Sequence, residues 1–279
     1  MREVAQAFVP GHVTGFFTSH PDPDPTKAGS QGGGVTLTEG VTVTVSGANE
    51  QRIVLNDEEI EMEAVKRVLD ALEIDAEVRG ETDLPLGSGF GVSGGMALGA
   101  ALAANHAFDR RLSVNELVTI AHGAEVQAGT GLGDVVAQAR GGVPIRLEPG
   151  SPQYNQLDGI SARGRVEYHV LGELATDDVL SGDTEQLTEA GKQALSMVVK
   201  EPTIDRFMRA SRRFSRESGL LTDEVYEVID DVSEAGGSAA MAMLGETVFA
   251  LGTGLTDAGY EPSVCQIHPC GGTLEPVPE

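Results

Sequence analysis

The sequence predicts an α/β enzyme, and three observations carry that prediction. Short apolar or alternating runs recur through residues 4–79, and Val41-Thr42-Val43-Thr44-Val45 alternates most clearly, the period of a half-buried strand. Ile60, Ala64, Val65, Val68, Leu69 and Leu72 then form the stripe of an amphipathic helix. Between residues 84 and 104 a glycine-rich loop runs directly into a small-residue segment that reads as a helix.

The remaining elements follow in order. Strands are expected at Val4–Val9, Val35–Leu37, Val41–Val45, Arg52–Leu55 and Ile74–Arg79. A helix is expected over Met96–Ala104. Ser113-Val114-Asn115-Glu116 has the form of a capping box, so a second helix should open there and run to about Gln127. The polar run Glu148–Arg165, rich in Pro, Gly and Ser, reads as an interdomain connection. Beyond it come a strand at Val166–Leu171, helices near 184–199, 203–217 and 223–234, and strands at 247–251 and 263–268. No internal repeat is evident.

The loop Leu84-Pro85-Leu86-Gly87-Ser88-Gly89-Phe90-Gly91-Val92-Ser93-Gly94-Gly95 is the most informative stretch. The first N–H groups of a helix lack internal partners, and the helix dipole adds partial positive charge there. Glycines let an anion approach the backbone closely. A phosphate, and hence a nucleotide, is the expected ligand. Gly89, Gly91 and Gly94 spell G-x-G-x-x-G, but the dinucleotide fingerprint also needs a strand immediately before and an acidic strand end after. Here a polar loop precedes, and Phe108-Asp109-Arg110-Arg111 follows. No Gly-Lys-Ser/Thr follows either, so a Walker A loop is excluded. A ligand-free glycine turn is the alternative.

Composition narrows the function classes. The 279 residues carry a formal charge of −24, and Lys27, Lys66, Lys192 and Lys200 are the only lysines. So acidic a surface lacks the basic footprint that nucleic acid or an anionic membrane requires. It suits a high-salt cytoplasm, where ions screen self-repulsion. No apolar run spans a bilayer, and the N-terminus does not read as a signal peptide. Cys265 and Cys270, with His268 between them, match no common zinc spacing and read as reduced thiols on a strand and turn. Arg206, Arg209, Arg212, Arg213 and Arg216 form a cationic stripe on a helix whose Phe207, Ala210 and Phe214 should face inward. Internal charge balance or a subunit contact is the first reading of that stripe, and substrate binding the second.

The loop resembles the second motif of the GHMP kinases, Pro-x-x-x-Gly-Leu-Gly-Ser-Ser-Ala-Ala, with Pro85, Gly89, Gly91 and Ser93 falling on it. Val92 and Gly94-Gly95 depart from it. Ala7-Phe8-Val9-Pro10-Gly11-His12-Val13 resembles the first motif, with His12 where many members carry lysine. Glu125, then Gly131-Leu132-Gly133-Asp134, then Gly141-Gly142 resembles the family's metal and base segment. Gly236–Gly245 is a diluted version of the third, glycine-rich motif. Within the superfamily, Pro10–Phe17, Gly29–Gly34, the variant loop and Ala242-Met243-Leu244-Gly245 look like the archaeal pantoate kinases.

That resemblance implies a two-domain α/β (α+β) fold with the active site in the cleft, residues 1–150 binding ATP and residues 151–279 forming the second domain. It implies ATP and Mg²⁺ as cofactors and pantoate as the small-molecule substrate in coenzyme A synthesis, with a homodimer left open. Residues 85 and 87–95 (Pro85, Gly87, Ser88, Gly89, Phe90, Gly91, Val92, Ser93, Gly94, Gly95) would wrap the phosphates. Ser93 and Glu125 would place the metal, and Asp134 would accept the hydroxyl proton. A carboxylate substrate calls for a guanidinium or several donors. Arg146 is the first candidate, with Ser30, His122 (one turn before Glu125) and His12 beside it. Each residue also has a plainer reading: Ser93 and Asp134 as helix caps, Glu125 as a solvated helix residue, Arg146 as a surface arginine, Ser30 as a turn serine, His122 as a helix histidine. The rival functions are another GHMP kinase, acting on homoserine, mevalonate or shikimate, and a catalytically silent nucleotide-binding module.

Overall fold

The structure, a computed structural model, describes residues 4–172 and 185–277. In chain order the elements are β1 (Val4–His20), β2 (Gly29–Gly47), β3 (Arg52–Leu55), β4 (Glu58–Glu59), α1 (Glu63–Ala71), β5 (Ala76–Glu81), α2 (Val92–Ala107), α3 (Val114–Ala128), α4 (Asp134–Arg140), β6 (Val143–Glu148), β7 (Gln156–Ile160) and β8 (Arg165–Gly172). After the undescribed segment come α5 (Glu185–Lys200), α6 (Ile204–Glu217), α7 (Asp223–Glu234), β9 (Ala239–Ala242), β10 (Glu246–Leu251), α8 (Gly254–Asp257), β11 (Ser263–Gln266) and β12 (Thr273–Glu275).

Two sheets organise these elements, so the α/β expectation holds. The first runs β12-β1-β2-β5-β3-β4, with β6 on β2 and β7 on β6. All its pairings are antiparallel except β3 with β5. The second runs β11-β8-β10-β9 and is antiparallel throughout. Helix α2 packs on β1 and β2, and α3 packs on α1 and α2. The stripe read on α1 is buried through Ala64, Val65, Val68 and Leu69.

The capping box is present at the start of α3: Ser113 accepts from the Glu116 N–H, and Glu116 accepts from the Ser113 N–H. Phe207, Ala210 and Phe214 are buried on α6 as expected. Around the arginine stripe, Arg206 pairs with Glu201, Arg213 with Glu217, and Arg212 donates to Ser233 Oγ, which agrees with charge balance. Cys265 is buried, Cys270 is exposed, and both are free thiols. Among the described residues no helix is long and apolar enough to cross a membrane.

Four expectations are corrected by long-range contacts that pattern alone does not reveal. The run Gly29–Gly34, where Ser30 has the plain reading of a turn serine, is the first part of β2, and β1 continues past Val9 to His20. A Cβ at Gly33 would lie 2.8 Å from the Phe16 ring, and one at Gly34 would lie 2.1 Å from His12 Nε2. The missing side chains are therefore what lets bulky β1 residues lie flat on β2. Helix α2 starts at Val92, so Gly94 and Gly95 are helical. Their Cβ atoms would crowd Gln138 and Val41 at 3.0 and 3.2 Å. The polar run Glu148–Arg165 contains strand β7, paired to β6. Finally, β9 and β12 appear where no strand was expected.

Candidate active site

Local chemistry builds the phosphate loop. Gly87, Gly89 and Gly91 have φ of +79°, +85° and +64°, a region that side chains disfavour. Alternating such residues turns successive N–H groups to one side, making an anion-binding concavity. Gly91 is the N-cap of α2 in left-handed conformation and makes no side-chain cap. The N–H groups of Val92, Ser93 and Gly94 thus open toward the same concavity, while that of Gly95 donates to Gly91 O at 2.9 Å.

The loop is held from three sides. The His12 N–H donates to Phe90 O at 2.9 Å. Thr247 Oγ1 donates to Ser88 O at 2.9 Å. The Phe90 ring meets Tyr168 of β8 edge-on at 4.7 Å, and Tyr168 donates to Glu39 at 2.5 Å. The turn after β9 also closes on it: a Cβ at Gly245 would strike Ser88 backbone at 2.2 Å. The diluted third motif is therefore a wall of the loop despite its few glycines.

A cavity of about 460 Å³ lies in front of the loop. Loop residues Gly87, Gly89, Phe90, Gly91, Val92, Ser93 and Gly94 line it, together with Glu125, Thr130 and Asp134. Met62, Leu86, Met243 and Leu244 supply an apolar side, and Thr14, Glu61 and Glu63 further polar groups. Pro85, Ser88 and Gly95 of the loop do not line it; Ser88 and Gly95 are buried behind it.

Two carboxylates converge at the cavity. Glu125 on α3 is 2 % exposed and accepts from Ser93 Oγ at 2.6 Å and from Thr130 Oγ1 at 2.9 Å. Burial pushes its pKa up to about 7, against those two hydrogen bonds. A Cβ at Gly131 would lie 2.6 Å from Glu125 Oε2 and 3.5 Å from Asp134 Oδ2. A side chain there would displace the Glu125 carboxylate. Glu125 is thus no solvated residue, and Ser93 is no cap: it is the second residue of α2, with its hydroxyl on Glu125. Asp134 is the first residue of α4, not its cap, and the N-cap is Gly133.

Behind Asp134 lies a buried polar group. His12 Nδ1 is 2.7 Å from Asp134 Oδ1, and His12 is fully buried. Burial holds the imidazole below its usual pKa. Burial raises the Asp134 carboxyl, but the His12 hydrogen bond and the Arg146 charge outweigh it and hold the group below its ordinary value. Arg146 on β6 is 1 % exposed, so it is no surface arginine, and its Nε and Nη1 have no partner. A Cβ at Gly133 would lie 2.4 Å from Ser30 Oγ and 2.7 Å from Arg146 Nε, so all three meet at one point. His122 Nε2 bonds Ala28 O at 2.8 Å and feels the Arg146 charge. The structure therefore brings His12, Ser30, His122 and Arg146 together behind Asp134, but none of them lines the cavity itself.

Sequence reasoning singled out neither Gln138 nor Thr130. Gln138 is fully buried on α4, and its Nε2 donates to Pro10 O at 3.0 Å and Gly91 O at 2.9 Å. Thr130 stands immediately before Gly131-Leu132-Gly133-Asp134, so its hydroxyl has a signal in that motif. A glutamine inside a helix carries no comparable signal.

Comparison with known proteins agrees with this geometry. The family model described as the GHMP kinases N-terminal domain matches residues 60–142. A pantoate kinase of Thermococcus kodakarensis is 37% identical over 262 residues, covering 88% of this chain and 87% of the relative. A pantoate kinase of Methanocaldococcus jannaschii is 33% identical over 274 residues, covering 94% and 99%. A solved structure described as a phosphotransferase related to the coenzyme A biosynthesis pathway superposes with a TM-score of 0.87 at 31% identity, covering 98% of both chains. The chain belongs to the pantoate kinase family of the GHMP kinases.

Proposed function

We propose that this protein transfers the γ-phosphoryl group of ATP to the 4-hydroxyl of pantoate, giving 4-phosphopantoate for coenzyme A synthesis. One observation carries the chemistry: Asp134 and the Ser93–Glu125 couple face the same cavity as the positive-φ glycine loop. Family membership supplies the acceptor.

In this reading the amides of the lining residues 87 and 89–94 cradle the ATP phosphates and stabilise the charge that builds during transfer. The acceptor oxygen bonds the γ-phosphorus, the bond to the bridging oxygen of ADP breaks, and the hydroxyl proton goes to Asp134. Asp134 suits that task because His12 and Arg146 keep it ionised.

Among the described residues no group of three or more His, Cys, Asp or Glu side chains is assembled for a metal. A magnesium ion would therefore take most of its ligands from phosphates and water, which is its usual habit. Glu125, Ser93 and Thr130 form an all-oxygen set that fits it. Magnesium, when bound, would neutralise phosphate charge. Ionised Glu125 at the cavity wall is what would hold it.

Arg146, with two unpartnered guanidinium nitrogens beside Ser30 Oγ, fits the pantoate carboxylate. His122 supports that group from α3. This role requires the acceptor to reach past Asp134. The division into residues 1–150 and 151–279 is supported by the placement of the second sheet, although β7 and β12 return to the first. The acidic, lysine-poor composition supports a high-salt cytoplasm.

The test is ADP release at molar KCl with ATP and Mg²⁺, offering pantoate, pantothenate, homoserine, mevalonate and shikimate separately. Turnover on pantoate alone is expected. Turnover on another acceptor would keep the mechanism and discard the substrate, and ATP binding without turnover on any would favour a silent module.

A further inference from the structure

His12 occupies a position that a family lysine would fill, yet its surroundings do not suit a cation. The imidazole is fully buried, and Nε2 has no hydrogen-bond partner. Its tautomer follows from the geometry. Nδ1 faces a carboxylate oxygen at 2.7 Å. A bare lone pair at that distance would be repelled, so Nδ1 carries the proton. A second proton on Nε2 would leave a charged donor buried without a partner, which is costly. The ring is therefore neutral, with Nδ1–H aimed at Asp134 and a bare Nε2.

The packing supports that assignment. The ring lies over Gly34, where a Cβ would come 2.1 Å from Nε2 and 2.7 Å from Cε1. In the β1–β2 ladder His12 stands opposite Thr36, so Gly34 is its diagonal neighbour. The ladder is irregular between Pro10 and Gly11, just before His12, and such a bulge re-aims the side chain that follows. Bulge and glycine together lay the imidazole flat against β2 and fix its Nδ1 edge toward α4. The residue's main chain has a second task, because its N–H holds Phe90 O of the phosphate loop. One residue of β1 thus fixes both the loop and the base.

We propose that His12 is the positioning residue for Asp134: its Nδ1–H pins Oδ1 and so sets the rotation of the carboxylate relative to the phosphate loop. It touches neither ATP nor the acceptor and keeps its own proton throughout. The positive charge that a lysine would bring to this place comes from Arg146 instead. This inference rests on Asp134 as the proton acceptor.

Asparagine distinguishes this role from the alternatives, since its Nδ2–H can replace the Nδ1–H of histidine. The experiment compares wild type with His12→Ala and His12→Asn by steady-state kinetics on whichever acceptor the wild type phosphorylates, with ATP affinity measured by a fluorescent ATP analogue. His12→Ala should lower kcat by about 10–100-fold, the usual cost of losing a supporting hydrogen bond, with KM for the acceptor and ATP affinity nearly unchanged. His12→Asn should recover most of that loss. An unchanged kcat in His12→Ala, a rise confined to acceptor KM, or an asparagine variant as impaired as alanine would each overturn the proposal. Absence of any wild-type turnover would overturn the kinase reading and this inference with it.

A second measurement needs no folded His12 variant. Nitrogen-15 NMR of histidine-labelled wild type should show one buried, neutral, Nδ1-protonated imidazole at about pH 7, shifted by Asp134→Asn. An Nε2-protonated or doubly protonated ring at that site would refute the assignment.

Discussion

Ser93 Oγ donates to Glu125 Oε1 at 2.6 Å, tying the first turn of α2 to the C-terminal part of α3. This bond closes the wall of the cavity, but it leaves a carboxyl almost without solvent. The cost should be visible as pH-dependent stability. Burial raises the Glu125 pKa from 4.5 to about 7. Below 4.5 both folded and unfolded chains hold the proton, and Glu125 costs nothing. As pH rises toward 7 the unfolded chain alone loses its proton, so stability falls, and above 7 the penalty is complete. At about 1.4 kcal/mol for each tenfold change in proton affinity, the rise from 4.5 to about 7 amounts to at most about 3.5 kcal/mol. The metal-free Glu125→Gln variant should therefore unfold at higher denaturant than wild type at about pH 8, and equally at the acid end. It should also lose magnesium-dependent turnover. Equal unfolding midpoints at about pH 8 would show that Glu125 is ionised without cost.

Asp134 is the one group at the cavity that His12 and Arg146 both keep ionised. Asp134→Asn preserves its size and can still bond His12, but it cannot take a proton. Turnover should fall about 10²–10⁴-fold, the range for loss of a general base, while ATP affinity stays within a few-fold. An ADP-release assay and a nucleotide titration check both halves. Near-normal turnover would remove Asp134 from the proton transfer.

Much of this site is legible in the sequence because its chemistry is local. Glycines at 87, 89 and 91 announce a backbone that side chains disfavour, and Glu125 and Asp134 stand out beside that loop. What is not legible depends on partners far along the chain. The residues around His12 identify a motif, but the direction of its ring depends on a bulge and on Gly34 across the ladder. Arg146 has the plain reading of a surface arginine, and only the pairing of Gly32 with Arg146 shows that it runs under the site. The same limit hid β7 and β12, whose strand character comes from pairing with β6 and β1 and not from their own composition.

Gly131 shows how tightly the two carboxylates are placed. Its Cβ would fall 2.6 Å from Glu125 Oε2, closer than real contacts allow. Gly131→Ala must therefore push Glu125 aside while leaving its charge intact. The magnesium concentration giving half-maximal turnover should rise about tenfold or more, as for other disturbed metal surroundings, while ATP affinity without metal changes little. An unaltered magnesium requirement would argue that Glu125 does not hold the ion.

Gln138 lies one turn beyond Asp134 on α4, and its amide reaches both neighbours of the site. Nε2 donates to Pro10 O at 3.0 Å, just before His12, and to Gly91 O at 2.9 Å, at the N-cap of α2. The Gly91 carbonyl also accepts from the Gly95 N–H, so it keeps a partner when the amide is lost. Gln138→Leu should therefore cost about 1–3 kcal/mol in denaturant unfolding, the usual penalty for one buried group left unpaired. The functional loss should be selective. Gly91 shapes the amides that meet phosphate, so KM for ATP should rise several-fold, with a smaller change in KM for pantoate. A purely structural glutamine would lower the unfolding midpoint and leave the ratio of the two KM values unchanged. Measuring both constants at molar KCl, where the variant is expected to stay folded, separates a loop that is aimed by Gln138 from a helix that is merely packed by it.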